Sequence, residues 1–408
     1  MGDLKSLTRR AFLKEQNQSS RSSQENIPSI VIVLSAVAFL FMSGFGMALP
    51  SLPQAILKLG YTEVEAGLVI SSWAVTYVLF SVVAGPIAER VGVSYALSLG
   101  LAGNSIIALI YILAKAFPFF IMGRLLQGIF ESLIWVSIYG LVAYLFPQAK
   151  VRSLAIISAS STLGFSFGLF VNGPIMSTFD VWWTFLPYMI LSAVCAVIAY
   201  IKVYPYNLKM IEGSRIENPL KLLKEINLAV ALIMAMAFLV GCFDGVFQAN
   251  SDKVAVLSGL PSALGGFYLS IYYASSLLSQ YTLALLRKEI NSPSYTVLTF
   301  TIVSILFYFN VITNFQYPIS LLTWVVIGAV IGTNVVIFMA NISGVFKSKS
   351  TAMGLYQASW GFGYMLAPPL AGFVIKNSSF SNVYATFSIF LVTITLISMI
   401  RLYKKYFY

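Results

Sequence analysis

Arg124 and Glu131 stand seven residues apart in GRLLQGIFE, residues 123–131, inside an apolar run from about Phe117 to Phe146. A helix rises about 1.5 Å per residue, which separates them by roughly 10 Å along its axis. Seven steps return to within about 20° of the same face. They share a face but lie too far apart for an i, i+4 pair, so each needs another partner or water. A charge at a bilayer centre costs about 2.5–3.5 kcal/mol on insertion scales, and such residues face a bundle interior or an aqueous cavity. A second acid, Asp244, sits in GCFDG with Gln248 one turn on. One base and two acids suit proton-coupled chemistry. A carboxylate withdrawn from water exchanges its proton nearer neutrality. Glu131 and Asp244 are therefore the candidate proton-coupling groups. Arg124 is a candidate to hold an anionic substrate or to set an acid's affinity for its proton. Gln127, Asn334, Asn341, Gln357 and Trp360 also fall within apolar runs, and Asn334 and Asn341 repeat the seven-residue spacing. They are candidate substrate contacts, with a packing hydrogen bond as the alternative at each amide.

The elements that must carry these residues follow from composition. Of 408 residues, 59% are hydrophobic and 10% charged, too few charges to coat soluble domains of that length. Runs of more than about 18 apolar residues recur, the signature of membrane-spanning helices. Polar breaks divide the chain into twelve: 27–49, 64–87, 94–114, 117–146, 151–177, 182–203, 227–250, 262–286, 293–313, 317–345, 350–376 and 380–402. The fourth and tenth are long for a hydrocarbon core of about 30 Å, so those helices should tilt or protrude.

Placing the N-terminus in the cytoplasm leaves Lys58, Lys115, Lys253 and Lys376 outside and Arg124 within a span, with the other 20 of 25 basic residues inside. That bias orients the chain with both termini cytoplasmic. It also makes the net charge of +11 a topology signal, and no nucleic-acid partner is expected. The chain has no histidine, which removes histidine-ligated metals and Ser-His or Cys-His nucleophile pairs. Cys195 and Cys242 lie in apolar runs without CxxC spacing and read as inert buried thiols. No metal or cofactor is expected. Residues 1–26 are polar, Ser/Gln-rich and basic, lack the pattern of a cleaved signal peptide, and read as a cytoplasmic tail that can meet anionic lipid.

Six runs precede the polar stretch YPYNLKMIEGSRIENPLKLLKE and six follow it. The expected division is a tail at 1–26, an N-terminal six-helix bundle at 27–204, a cytoplasmic linker at 205–225 and a C-terminal six-helix bundle at 226–408. The expected fold is all-α, with two bundles facing a shared cavity.

The loop after the second run reads GPIAERVG, Gly85 to Gly92. It resembles the G-x-L-A-D-R-x-G signature of the major facilitator superfamily, with isoleucine for leucine, glutamate for aspartate, and no basic pair following. Arg124-x-x-Gln127-Gly128 resembles that superfamily's R-x-x-Q-G motif of the fourth helix. The antiporter motif of the fifth helix is matched only in part: Gly164 and Gly173-Pro174 are present, with Phe167 at the intermediate glycine position. The resemblance spans all twelve runs. It implies alternating access, a cavity among helices 1, 4, 7 and 10, and an inner gate at Gly85, Glu89, Arg90 and Gly92. Two glycines suit a tight turn.

The expected function is secondary transport of a small solute in the cell membrane by a monomeric, proton-coupled carrier rather than an enzyme, since no Walker motif marks an ATP-hydrolysing engine. Arg124 argues for uptake of small organic anions; the two acids and many aromatics argue for efflux of cationic or amphipathic compounds. A transporter-like sensor without transport is the alternative of another class. Arg124 and Asp244 are expected in one cavity, paired across it when it is empty.

Overall fold

The computed structural model describes residues 28–206, 226–261, 265–286 and 293–377, with scattered positions from 379 to 397. The tail 1–26, most of the linker 205–225 and the end of the last run lie outside the described residues. Every described element is helical. In chain order they are α1 Ser29–Ala48, α2 Ser51–Lys58, α3 Glu63–Val91, α4 Val93–Leu113, α5 Phe117–Leu145, α6 Lys150–Thr178 and α7 Phe185–Val203, then α8 Leu228–Leu257, α9 Gly265–Leu286, α10 Pro293–Ile312, α11 Ile319–Val345 and α12 Lys349–Asn377. Among the described residues, nine helical stretches are long and apolar enough to cross a membrane, and Leu298–Ile312 is a shorter apolar one.

Two elements depart from the pattern of apolar runs. Residues between the first and second runs form α2, whose Ser51, Leu52, Ala55 and Ile56 are buried. Lys58 closes this helix with an ion pair to Asp180, 2.5 Å away. α8 does not stop at Asn250; it bends there, where the backbone leaves helical values (φ −136°, ψ 20°), and continues to Leu257. The Asn250 amide donates to the Val246 carbonyl and its oxygen accepts from Lys253, so the bend is stabilised by its own side chain.

α3 starts with a capping box: the Thr62 hydroxyl accepts from the Glu65 N–H, and the Glu65 carboxylate accepts from the Thr62 N–H at 2.8 Å. It ends at Gly92, whose φ of +97° only glycine adopts without strain. Gly92 alone links α3 to α4 and defines the turn end of the bundle. Gly85 has a different place from the turn that the motif suggests: it lies within α3, facing α12.

Packing repeats. α1 lies on α6 as α8 lies on α12, and α3 lies on α5 as α9 lies on α11. α3 also crosses to α12, and α6 to α9. Small residues permit the closest crossings. A Cβ on Gly168 would fall under 3 Å from the Ser43 carbonyl and the Gly46 Cα; one on Gly363 would meet Phe238 and Cys242 backbone as closely. Gly173, near the far end of α6, meets nothing within 4 Å. Gly168→Ala should therefore cost about 1–3 kcal/mol through overpacking, read as a lower Tm in detergent, with Gly173→Ala near wild type. Equal Tm values for the two variants would contradict this close packing.

Candidate functional site

A cavity of about 230 Å³ lies among α1, α3, α5, α6, α8, α9, α11 and α12. Arg124, Glu131 and Asp244 all line it, and so do Gln357 and Trp360.

Glu131 stands halfway along α5 and is 4% exposed. One carboxylate oxygen accepts from Trp73 Nε1 at 2.7 Å, and the other from Trp135 Nε1 at 3.3 Å. Asp244, on α8, has a parallel arrangement: Oδ1 accepts from the Tyr272 hydroxyl at 2.6 Å and Oδ2 from Trp360 Nε1 at 2.9 Å. The indoles of Trp73 and Trp360 meet edge to face, with centroids 6.4 Å apart. An aromatic contact thus joins two carboxylates held by α5 and α8. Each acid is held by neutral donors. Each ionised carboxylate offers about four acceptor sites, so acceptor capacity remains.

Arg124 is 2% exposed and differently employed. Nε donates to the Val69 carbonyl at 3.1 Å, Nη2 to the Ile70 carbonyl at 2.8 Å, and Nη1 to Gln127 Oε1 at 2.8 Å. Its guanidinium lies 5.6 Å from the Trp73 ring centre. The rigid fork therefore ties α5 to the backbone of α3. A glycine supports the same contact: a Cβ on Gly128 would fall under 3 Å from Trp73 and Tyr77 backbone atoms. Arg124 and Asp244 share the cavity, but Arg124 bonds to Val69, Ile70 and Gln127 and Asp244 to Tyr272 and Trp360. The expected pairing of Arg124 with Asp244 is absent from this conformation, because the guanidinium is taken up by α3 and Gln127.

The remaining candidates divide. Gln127 points away from the cavity: Oε1 also accepts from Tyr111, and Nε2 donates to the Tyr188 hydroxyl, which donates to Asn104. This chain of hydrogen bonds links α5 with α4 and α7. Asn334 is fully buried between α10 and α11, bonded to Thr299 and to the Val330 carbonyl. The cavity wall of α11 is instead Ile331, Val335 and Met339, and half-buried Asn341 also lies off it.

The four motif residues gather at the turn end. Glu89 is buried on α3 and accepts from the Ser348 hydroxyl, just ahead of α12, at 2.6 Å. Arg90 is exposed, in the last turn of α3. A Cβ on Gly85 would lie 2.6 Å from Thr351 backbone, and one on Gly140 would lie 2.7 Å from the Ser350 Cα. At this end, α3 and α5 are thus closed tightly on α12.

Apart from Trp360, the aromatic walls are the part of the site that sequence reasoning missed. Trp73–Tyr77, Trp135–Tyr139 and Trp360–Tyr364 each stack as i, i+4 pairs, with centroids 4.5, 5.5 and 5.3 Å apart, and all six rings line the cavity. The W-x-x-x-Y spacing, present on three helices, was the available signal.

A model of the Major Facilitator Superfamily matches residues 34–349. The chain belongs to this superfamily. It is a multi-pass membrane protein of a transporter family. An uncharacterised MFS-type transporter of Methanocaldococcus jannaschii is 21% identical over 91% of this chain and 98% of its own length. The quinolone resistance protein NorA of Staphylococcus aureus is 22% identical over 90% of this chain and 95% of its own. Among solved structures, the human organic anion transporter TETRAN superposes with a TM-score of 0.74 at 14% identity, covering 91% of this chain and 100% of that one. The Escherichia coli fucose:proton symporter FucP gives 0.71, also at 14% identity, covering 91% and 98%. These structural likenesses carry the superfamily fold.

Proposed function

We propose that this superfamily member exports cationic or amphipathic organic compounds in exchange for protons, by alternating access around the cavity. The observation that carries the substrate class is the contrast between the charges. Three of the five Arg124 N–H groups hold it to α3 and Gln127, whereas both carboxylates are held by neutral aromatic donors alone and keep acceptor capacity in an aromatic-walled cavity. Aromatic faces beside carboxylates attract organic cations. The similarity to a quinolone resistance protein accords with export. On this reading the chain has twelve spans in two bundles, 27–204 and 226–408, and the repeated helix pairings support that division. Both termini are cytoplasmic, which makes the turn end the inner side and the conformation inward-closed.

The reading is tested in proteoliposomes with an outwardly directed proton gradient and N-methyl-4-phenylpyridinium, a permanent cation, as probe. With protein facing either way, the gradient should drive the probe against its own concentration gradient, and a protonophore should collapse the response. No response to the gradient by protein shown to bind the probe would contradict proton coupling.

Glu89, Gly85, Arg90 and Gly92 form the inner gate in this account, with Glu89–Ser348 as its hydrogen bond across the seam. Val136 is fully buried beneath that seam beside Ala84 and Ala88, which makes Val136→Cys a reporter in a background lacking Cys195 and Cys242. Glu89→Ala should raise its alkylation rate several-fold. An unchanged rate would mean that the hydrogen bond plays no part in closure.

A further inference from the structure

We propose that the two acids divide the work: Asp244 anchors the positive group of the substrate, and Glu131 is not a substrate contact. This rests on the organic-cation reading above and adds which residue recognises the charge.

Charge distribution within the cavity is uneven. Arg124 and Glu131 belong to the same wall, one helix and seven residues apart, and Arg124 lies against Trp73, the indole that donates to Glu131. A cation approaching Glu131 meets that guanidinium. The opposite wall holds Asp244 with no lysine or arginine among the cavity-lining residues of α8, α9, α11 and α12. Asp244 is thus the carboxylate with no basic residue on its own wall.

Access and shape point the same way. Asp244 is partly open, whereas Glu131 is enclosed between two indoles. Around Asp244 stand two ring pairs in contact, Trp360 with Tyr364 and Tyr272 with Tyr273. Gln248 fixes two of them: its amide donates to Tyr273 and its carbonyl oxygen accepts from Tyr364 at 2.9 Å. A carboxylate within a rigid group of electron-rich rings is a site for an organic ammonium or pyridinium ion. Cavity size narrows the class. Drug-sized ligands occupy pockets of about 300–1,000 Å³, and 230 Å³ suits a smaller ion with one or two rings.

Binding of N-methyl-4-phenylpyridinium to the purified protein, compared with its uncharged analogue 4-phenylpyridine above the protonation range of that base, tests the assignment. Wild type should prefer the cation by about tenfold or more. Asp244→Asn should lose that preference while still binding the neutral analogue, which shows that its cavity is intact. Asp244→Glu, with the charge kept, should restore most of the preference. Glu131→Gln should keep it within about threefold, a difference under 1 kcal/mol. Preference retained by Asp244→Asn, or lost in Glu131→Gln as fully as in Asp244→Asn, would overturn the division. A wild-type protein that binds both probes equally would overturn the organic-cation reading itself, and the assignment with it.

Discussion

Glu131→Gln is expected to abolish pH-driven accumulation of the probe cation while leaving cation–cation counterflow within a few-fold of wild type. Glutamine matches glutamate in size, so the cavity keeps its shape. Its amide oxygen can still accept from Trp73 Nε1, the shorter of the two indole contacts at 2.7 Å. Its NH₂ group then faces the Trp135 N–H, at the longer 3.3 Å contact, where two donors oppose each other and the side chain adjusts. The structural cost is one weak hydrogen bond, about 1 kcal/mol. The functional cost is total for coupling, because glutamine carries no exchangeable carboxyl proton. Counterflow needs only the substrate site and the conformational change. Full pH-driven accumulation in this variant would remove Glu131 from the coupling mechanism.

Arg124→Lys should be among the most destabilising conservative changes in the chain. Lysine keeps the charge, and therefore the cost of burying it, but its single ammonium cannot span the Val69 and Ile70 carbonyls and Gln127 together. At about 1.5–3 kcal/mol per hydrogen bond to a charged group, losing two of three costs roughly 3–6 kcal/mol in folding. Thermal unfolding in detergent and the yield of monodisperse protein both report it. The outcome separates two roles. A residue that served only to attract an anionic substrate would tolerate lysine with near-normal stability. A tie between α3 and α5 would not. A lysine variant as stable as wild type would show that the tie is dispensable and reopen the anion reading.

Much of the helical framework was legible in the sequence, because apolar length is a strong signal in a membrane chain. The long runs 117–146 and 317–345 became α5 and α11 almost residue for residue. α2 was not legible: eight residues of mixed polarity between two strong runs read as a loop, and only burial of their apolar face makes the helix evident. The bend at Asn250 reads as an end for the same reason, since SDKV breaks the apolar pattern, yet helix resumes beyond the one non-helical residue. At the site, Arg124, Glu131 and Asp244 stood out because a charge inside an apolar run demands a partner. The partners did not stand out. Indole and phenol donors are apolar by composition, so Trp73, Trp135 and Tyr272 look like packing residues until their N–H and O–H groups are placed; of the four donors to the two acids, Trp360 alone stands among the sequence candidates. The seven-residue spacing of Asn334 and Asn341 misled for a converse reason: a shared face identifies common neighbours, not which neighbours, and here the α11 amides lie off the cavity wall.

If a proton and an organic cation are exchanged within one cavity, binding of the cation to the purified protein releases protons. Purified protein in a weakly buffered detergent solution with a pH-sensitive dye is titrated with N-methyl-4-phenylpyridinium over a series of starting pH values. Protons should be released in proportion to cation bound at the pH values where the protein starts protonated, and Glu131→Gln should lose the Glu131 share of that release, leaving only the proton that Asp244 gives up when it starts protonated, although the cation still binds. Cation binding with no proton release at any starting pH would contradict the exchange.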